Sequence, residues 1–448
     1  MRLGRAGRGR TLIESVEKCQ AISFEESTIL PVNDFIDELQ WRGMFHQASD
    51  VEGLRKHLAS GKRRAYIGFD PTADSLTIGN LATLMLLAHF QRAGHDPVVL
   101  AGGGTGLIGD PGGKSAERPL LSIDTVRANV ASQKQIYSAL LPGAEVLNNA
   151  DWLVDLSYIA VLRDVGKHFS VNEMIKRDSV RNRLEGDGIS YTEFSYMLLQ
   201  SYDFQHLYSH HGVTLQMGGS DQWGNIVSGA DLVRRMHGGE AYAVTGPLIV
   251  KSDGTKFGKS ESGAIWLTAD RTSAYAFHQF WLNTDDADVL SYLRRFTFLT
   301  RSEIDDVATD FAANPGGRLA QRTLANAVTT LLHGATGCSN AEKAGKALFS
   351  GDIAELDQST LNEVFANVSA STHDRSALIE GQDLIDLLVT VNLASSKREA
   401  REFISAGSVL INGVKASAEK KLTPTDLLFD STIAIRRGKK NWHLTRWE

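Results

Sequence analysis

The sequence predicts an α/β protein: a doubly wound parallel sheet comes first, followed by an α-helical domain and a small α+β domain. From residue 64 to about 146, short apolar strands alternate with helical segments, which is typical of a parallel sheet covered by helices on both faces. Residues 268–350 have helical spacing and few strand signals, and strand periodicity returns after residue 381. The length of 448 residues predicts two to four domains.

We place the domain boundaries where composition and periodicity change. The sheet domain covers residues 31–267, the helical domain 268–350, and the final domain 381–448, with 351–380 as an acidic, solvated linker. Residues 1–30 are Arg-rich and have no acid before Glu14, but they lack the amphipathic run of a transit peptide. We therefore expect a disordered leader or an upstream start codon there, with a transit peptide as the alternative.

The apolar segments of the sheet domain define its elements. These are, in order, a strand at 65–69, a helix at 81–91, a strand at 97–101, a helix at 123–140 and an apolar stretch near Val146. Asp70-Pro71 stops the first strand and Gly94 ends the first helix. Because ligands bind beyond the carboxyl ends of parallel strands, the glycine-rich loops after Phe69, Ala101 and Met217 should meet at one site.

The final domain is predicted from helices that begin near Leu384 and Ser396 and from a strand that runs into the hairpin pair Asn412-Gly413. It carries eleven bases and eight acids, whereas the first 380 residues carry 36 bases and 45 acids. A basic module on an acidic body is what a nucleic-acid-binding appendage needs, although a solvated surface tolerates the same charge.

Composition excludes several classes of protein. The net charge of −6 argues against a basic nucleic-acid coat, and no apolar run approaches the roughly 18–20 residues of a membrane span. Cys19 and Cys338 are the only cysteines, too few for a disulfide framework or a thiolate metal cage. We expect a soluble protein of a reducing compartment, the cytoplasm, with no membrane partner.

Three motifs suggest functions that their context disfavours. The glycine pattern over residues 104–109 resembles a dinucleotide-binding loop, but Asp110-Pro111 follows and prevents the required helix. Gly113-Lys114-Ser115 has Ile108 where a P-loop needs glycine. His210-His211 has no carboxylate or Cys at metal-ligand spacing, so no protein-bound metal is predicted.

Two polar segments that are interrupted by glycines remain to be explained: residues 66–80 and residues 251–260. A flexible loop that carries Lys256 and Lys259 can close over phosphates, although alone it also fits a solvated surface loop. Together the segments resemble the two signatures of class I aminoacyl-tRNA synthetases, at residues 77–80 and 256–260. The runs 68–74, 106–111, 192–200 and 218–225 narrow this resemblance to the bacterial-type tyrosyl-tRNA synthetases, from about Val32 to the C-terminus.

The resemblance implies a Rossmann-like catalytic nucleotide-binding domain, a helical anticodon-side domain and an S4-like RNA-binding domain. It also implies the reaction. The tyrosine carboxylate attacks the α-phosphorus of ATP, pyrophosphate leaves, and the tyrosyl group then moves to the 3′ end of tRNA(Tyr). A carboxylate is already an adequate nucleophile, so catalysis rests on positioning and on donors to the developing charge, with no side-chain base.

The resemblance also assigns site residues. Those expected to bind tyrosine are Tyr66 and Asp203 at the phenol, Asp110, Tyr196 and Gln200 at the α-ammonium, and Gln222 at the carboxylate. Those expected to bind ATP are Gly68, Asp70, Gly219, Asp221 and Lys259, with Lys114 and Arg118 as helpers. The catalytic group comprises Thr72, Thr77, Asn80, Lys256 and Lys259. The bases expected to bind RNA are Lys397, Arg398, Arg401, Arg436, Arg437, Lys439 and Lys440.

Two positions depart from the family pattern. Thr77 replaces the first His of the signature, which leaves a short hydroxyl to donate to a phosphate, directly or through water. Ile67 stands where relatives often have Cys near the ribose, so an apolar contact is expected there. The rival interpretations are a synthetase-derived RNA-binding factor that has lost catalysis and a nucleotide-dependent oxidoreductase.

The resemblance implies partners as well. Mg²⁺ is expected with ATP, and tRNA(Tyr) and L-tyrosine are the other substrates. A homodimer is expected, with Tyr191 and residues 161–183 in the region that pairs the subunits.

Overall fold

The computed structural model describes residues 34–448, except 113–119, 187, 256, 261–262, 351–352, 354–355, 357, 366–367, 418 and 439–440. At 178–179, 259–260, 349–350, 359 and 363 it describes the backbone alone. The predicted leader, residues 1–30, lies outside the described residues. The chain forms two compact bodies: residues up to 272 with 281–332, and residues 273–280 with 333–448.

The first body is built on a six-stranded sheet. Its strands are β1 (Gln47–Ala48), β2 (Arg64–Phe69), β3 (Asp96–Ala101), β4 (Glu145–Asn148), β5 (Val213–Gly219) and β6 (Tyr242–Gly246), in the spatial order β1-β6-β5-β2-β3-β4. All neighbours are parallel except the edge pair β1–β6. The predicted parallel sheet is therefore confirmed, and its strand order reverses beside β2, where such sheets bind ligands.

Helices cover this sheet. Those that begin in the first body are α1 (Phe35–Trp41), α2 (Val51–Ala59), α3 (Ile78–Arg92), α4 (Ile123–Leu140), α5 (Ala150–Leu153), α6 (Tyr158–Ala160), α7 (Val171–Ile175), α8 (Asp178–Leu184), α9 (Tyr191–His211) and α10 (Trp223–His237). A short hairpin of β7 (Lys259–Ser260) and β8 (Gly263–Ala264) follows. Helix α3 begins three residues before its predicted start because Thr77 caps it.

The predicted helical region contains α11 (Ala274–Leu282), α12 (Val289–Phe296), α13 (Arg301–Ala313) and α14 (Leu319–Ser350). Most of it belongs to the first body rather than forming a separate unit. The buried guanidinium of Arg42 shows why, because it donates to the carbonyl oxygens of Arg294, Thr297 and Leu299 at the end of α12. Helix α14 is interrupted at Gly334, which has φ 72° and ψ 171°, beside the division between the bodies.

The second body contains a five-stranded sheet of order β12-β11-β14-β15-β9. Its strands are β9 (Ala370–His373), β11 (Val409–Ile411), β12 (Val414–Lys415), β14 (Thr432–Arg437) and β15 (Asn441–Trp447); β10 (Gln382–Asp383) pairs separately with β13 (Lys421–Leu422). The helices after α14 are α15 (Gln358–Val364), α16 (Ser376–Glu380), α17 (Leu384–Thr390) and α18 (Lys397–Ser405). The predicted turn is confirmed, since Asn412 and Gly413 both have positive φ between β11 and β12.

The segment predicted as a linker, 351–380, differs from that expectation. Its strand β9 pairs in parallel with β15, and Leu361 and Phe365 pack against Ala434 and Leu444 in one core cluster. The acidic composition suggests solvation, but the apolar side chains that lie between the acids are buried. This part of the chain is therefore integral to the second body.

Candidate active site

Loops from the carboxyl ends of three strands converge in the first body, as the sequence predicts. Asp70 follows β2, and its carboxylate accepts a hydrogen bond from Thr105, after β3, at 2.7 Å. Asp110 lies farther along the same loop and accepts from Gln222 Nε2, after β5, at 2.6 Å. Residues 105–107 form a single 3-10 turn and the described residues 108–112 are not helical, so the glycine pattern does not open a long helix.

The deepest part of this crevice pairs a phenol with a carboxylate. Tyr66 lies on β2, and its hydroxyl is buried without a hydrogen-bond partner among the described residues. Asp203, on α9, is 2% exposed and accepts from Asn149 Nδ2 at 2.9 Å and from Trp152 Nε1 at 2.8 Å. Burial raises the pKa of Asp203 to about 7, although both hydrogen bonds act in the opposite direction. Burial, with the charge of Asp203 adding to it, also raises the pKa of Tyr66.

A second group of polar side chains lines the crevice above this pair. Tyr196 and Gln200 lie one turn apart on α9, as their spacing predicts. The Tyr196 hydroxyl donates to Asp70 Oδ2 at 2.9 Å, and Asn225 Nδ2 donates to Gln200 Oε1 at 3.1 Å. Two hydrogen-bonded groups therefore line the crevice: one runs from Asp203 through Asn149, Thr105 and Asp70 to Tyr196, and the other joins Gln200, Asn225, Gln222 and Asp110.

The two signature segments contact each other beside this network. The Thr77 hydroxyl and backbone N–H both donate to Asn80 Oδ1, at 2.9 and 3.0 Å, which caps the N-terminus of α3. Gly258 has φ 87°, and a Cβ there would lie 2.7 Å from Ile78 Cγ2, so only glycine fits. The backbone N–H of Ile78 donates to Ile265, just after the second segment. The N-terminus of α3 and the lysine loop (residues 251–260) thus lie side by side and form a candidate anion-binding edge.

Phe257 fixes the lysine loop to the body of the protein. Its ring stacks on Phe296 with centroids 5.3 Å apart and meets Tyr292 edge-on at 5.1 Å. At the base of the loop, the carboxylate of Asp288 accepts from Ser252. These contacts tie the loop to the residues that follow it in the chain.

The remaining residues predicted to act on ATP differ in exposure, and some of them lie outside the described residues. Gly68, Thr72 and Asp221 are exposed along the crevice, and Gly219 is buried at the end of β5. Lys114, Arg118 and Lys256 lie outside the described residues, as does the side chain of Lys259. Ile67 is buried in β2, which agrees with an apolar role. In the part of the chain that the structure describes, no group of three or more His, Cys, Asp or Glu could hold a metal ion.

The predicted RNA-binding bases of the second body do not all lie at its surface. Lys397, Arg398 and Arg401 are exposed at the start of α18, where Lys397 pairs with Asp386 at 2.6 Å. Arg437 lies over the ring of Phe403 on the same helix. Lys439 and Lys440 lie outside the described residues.

Arg436 corrects the prediction for this cluster. It is 8% exposed and lies over Trp442, with a hydrogen bond to the carbonyl of Leu348. Adjacent residues of a strand point to opposite faces, so Arg436 and Arg437 cannot share one surface. Burial removes Arg436 from the surface that the sequence predicted it to join.

Several residues that shape the site were not found from the sequence. They are Thr105, Asn149, Trp152, Asn225 and Phe257. Asn149 comes directly after β4, so the rule that ligands bind beyond the carboxyl ends of strands could have identified it. Trp152 and Asn225 act through contacts between distant segments, which no local pattern in the sequence reveals.

Comparisons with known proteins agree with this geometry. The model of class I tRNA synthetases for tryptophan and tyrosine matches residues 59–350, and the model of the tyrosine–tRNA ligase SYY-like C-terminal domain matches residues 361–445. The tyrosine–tRNA ligase of Roseiflexus castenholzii is 50% identical over 420 residues, covering 92% of this chain and 99% of the relative. The enzyme of Geobacillus stearothermophilus is 48% identical over 424 residues, covering 92% of this chain and all of the relative.

A solved structure shows the same fold. The C-terminally truncated mitochondrial tyrosyl-tRNA synthetase of Aspergillus nidulans superposes with a TM-score of 0.65 at 30% identity, covering 76% of this chain and all of that one. No helix among the described residues is long and apolar enough to cross a membrane. The Rossmann-like fold and the family predicted from the sequence are both confirmed. The chain belongs to the tyrosine–tRNA ligases, class I aminoacyl-tRNA synthetases that use ATP to join tyrosine to tRNA(Tyr).

Proposed function

We propose that this ligase selects tyrosine by placing the substrate phenol between Tyr66 and Asp203. The observation that carries the proposal is the buried hydroxyl of Tyr66, which has no hydrogen-bond partner among the residues the structure describes, beside the buried carboxylate of Asp203. A phenol would donate to Asp203 and accept from Tyr66. Phenylalanine would leave both groups unsatisfied at a desolvation cost, a discrimination for which tyrosyl-tRNA synthetases are themselves the standard example.

The polar groups above the phenol fit the other end of the amino acid. Tyr196, Gln200 and Asp110 would surround the α-ammonium, since they supply oxygen acceptors and one negative charge. Gln222 would donate to the substrate carboxylate in place of its present bond to Asp110. This arrangement aims the carboxylate toward the signature segments.

ATP would lie across the strand ends with its phosphates at the anion-binding edge. Gly68 is exposed, and an added Cβ would make only ordinary contacts, so neither packing nor φ requires glycine there. We infer that the missing side chain makes room for the nucleotide, with Gly219, Asp70 and Asp221 beside the ribose.

Thr72, Thr77, Asn80, Lys256 and Lys259 would stabilise the charge that develops on the leaving pyrophosphate, with Lys114 and Arg118 as helpers. Asn80 Oδ1 already accepts from Thr77, so Asn80 would offer its amide N–H groups. We propose that Mg²⁺ enters with ATP, because it binds substrate phosphates and keeps several waters.

We propose that residues 381–448 bind tRNA through Lys397, Arg398, Arg401 and Arg437, with Lys439 and Lys440 adjoining in sequence. The first three share one exposed helix start, and Arg437 contacts the same helix. Since tRNA and ATP are the substrates, we propose the cytoplasm as the site of action.

We also propose a homodimer paired through residues 154–191. This segment exposes many large apolar side chains: Val154, Tyr158, Ile159, Leu162, Val171, Ile175, Leu184 and Tyr191. Light scattering at micromolar concentration should give about twice the chain mass, and Ile159→Glu should shift the protein toward monomer. A wild-type monomer of 48.9 kDa would contradict the proposal.

The test of the tyrosine site is ATP–pyrophosphate exchange with tyrosine, phenylalanine and tryptophan in parallel. Exchange should depend on tyrosine, and Asp203→Ala should abolish it while the variant still unfolds at a normal temperature. Near-normal, tyrosine-dependent exchange by Asp203→Ala would show that the phenol binds elsewhere.

A further inference from the structure

Three aromatic rings form a stack that leads away from Asp203. The indole of Trp152, on α5, stacks on the imidazole of His206 with centroids 4.3 Å apart and planes 16° apart. His206 stacks in turn on His210 at 4.2 Å and 17°. Asp203, His206 and His210 are spaced three and four residues apart, so they share one face of α9.

The inner end of this stack contacts the carboxylate that the proposed function assigns to the phenol. Trp152 Nε1 donates to Asp203 Oδ1 at 2.8 Å, while Asn149 donates to the other oxygen. A donor to a buried carboxylate favours its ionised form and fixes its direction. Asp203 therefore depends on the orientation of the Trp152 indole.

The short helix that carries Trp152 does little to fix the orientation of its indole. Helix α5 has four residues and no side-chain cap, and Trp152 is only partly buried. Trp152 packs against the buried hydrophobic cluster that includes Tyr66 and Phe204. The ring that lies parallel to the indole is the imidazole of His206. Because burial, with His210 and His211 adding to it, lowers the pKa of His206 to about 4, the imidazole is neutral at physiological pH. A neutral ring stacks on the indole without placing a positive charge beside Asp203.

We propose that His206 is a positioning residue for tyrosine selection, whose stacked ring keeps Trp152 Nε1 on the carboxylate of Asp203. His206 itself contacts no substrate atom in this scheme. The inference rests on the proposed tyrosine pocket and adds a residue to it that acts through Trp152.

The test compares His206→Ala with His206→Phe in ATP–pyrophosphate exchange. Loss of the ring should raise KM for tyrosine about ten-fold, the effect of one weakened charge-assisted hydrogen bond, and should reduce discrimination against phenylalanine. KM for ATP should stay within about two-fold. His206→Phe restores a flat ring, so it should return KM for tyrosine and the discrimination against phenylalanine toward their wild-type values. His210→Ala, which removes the outer ring without touching Trp152, is the matched control and should behave as wild type.

A pH profile distinguishes positioning from a general structural role. In His206→Ala, the inflection of kcat/KM for tyrosine should move to higher pH, because Asp203 loses a donor that favours its ionised form. His206→Phe should keep the wild-type inflection. A raised KM for ATP with an unmoved inflection would overturn the proposal, as would a His206→Ala variant with wild-type tyrosine kinetics.

A second variant keeps the proposal testable if His206→Ala folds poorly. Trp152→Phe retains a ring but lacks the N–H, so it should reproduce the tyrosine defect, and adding His206→Ala to it should cause little further loss. Additive losses would mean that His206 acts independently of Trp152, contrary to the proposal. If Asp203→Ala is inactive but His206→Ala is normal, the pocket stands and only this inference fails.

Discussion

At the scale of single residues, burial determines what the polar groups of the site can do. Asp203 has few alternatives: it is enclosed, held by two donors, and close to the buried hydroxyl of Tyr66. Thr77 is constrained as well, because its hydroxyl already donates to Asn80 Oδ1 at the start of α3. The same residue type on an open loop would carry none of these constraints.

The pKa of Asp203 predicts how tyrosine binding depends on pH. The phenol must donate to an ionised carboxylate, so protonation of Asp203 removes the acceptor. We expect kcat/KM for tyrosine to fall as the pH drops through about 7, since burial raises the pKa of Asp203 to about 7 and kcat/KM reports the groups of the free enzyme. The measurement is exchange kinetics from about two units below this pKa to one unit above it. With tyrosine saturating, kcat/KM for ATP serves as control and should lack the inflection; a flat tyrosine profile would contradict the prediction.

Thr77 can be tested for both a structural and a catalytic role. Thr77→Ala should lower the free energy of unfolding by about 1 kcal/mol, the usual effect of losing an N-cap. It should also slow tyrosyl-adenylate formation if the hydroxyl assists at the phosphates, whereas Thr77→Ser should restore both quantities. An unchanged rate in Thr77→Ala would remove Thr77 from the catalytic group and leave it as a cap.

At the scale of elements, the site depends on how helices and loops end. Helix α3 starts at the cap made by Thr77 and Asn80, which places its N-terminus beside Gly258. The lysine loop is held by Phe257 against α12 and Trp281. Sequence periodicity located these elements to within a few residues, but the contact between them depends on tertiary packing.

The packing of Phe257 predicts how much a fixed lysine loop contributes to the activation of tyrosine by ATP. Phe257→Ala removes the stacked ring, so closing the loop over ATP must then order a freer segment. We expect kcat/KM for ATP to fall about ten-fold or more, with the tyrosine dissociation constant in the absence of ATP unchanged. Phe257→Met should retain most of the activity, because it keeps a large apolar side chain. Activation within two-fold of wild type in Phe257→Ala would show that the ring does not seat the loop.

At the scale of the whole molecule, the average charge hides a division between the two parts of the chain. The net charge of −6 combines an acidic first 380 residues with a basic tail. The tail packs with segments well before residue 381, since Ala344, Leu361 and Phe365 share a core cluster with Ala434 and Leu444. A deletion that begins at residue 381 would therefore uncover apolar surface, and surface substitutions give a cleaner test of RNA binding.

Charge reversal at the start of α18 should impair the transfer of tyrosine to tRNA without affecting the activation of tyrosine by ATP. Replacing Lys397, Arg398 and Arg401 together by Glu should lower kcat/KM for tRNA charging at least ten-fold and reduce its dependence on salt, because phosphate contacts are lost. Pyrophosphate exchange should be unaffected. The same change at Lys343, Lys346 and Arg375, exposed bases of the same body, gives an equal shift in charge and should leave charging near normal. Equal losses in both triple variants would indicate nonspecific electrostatics.

The sequence by itself determined the parallel sheet, the hairpin of the tail and the family. Those features rest on local patterns: apolar periodicity, the turn residues Asn412 and Gly413, and polar motifs of fixed spacing. Only the tertiary structure decided that Asn149 and Trp152 hold Asp203, that Arg436 is buried and that β9 belongs to a sheet. These depend on pairs of residues far apart in the chain, and burial, which sets their charge and hydrogen bonding, exists only once those segments have packed together.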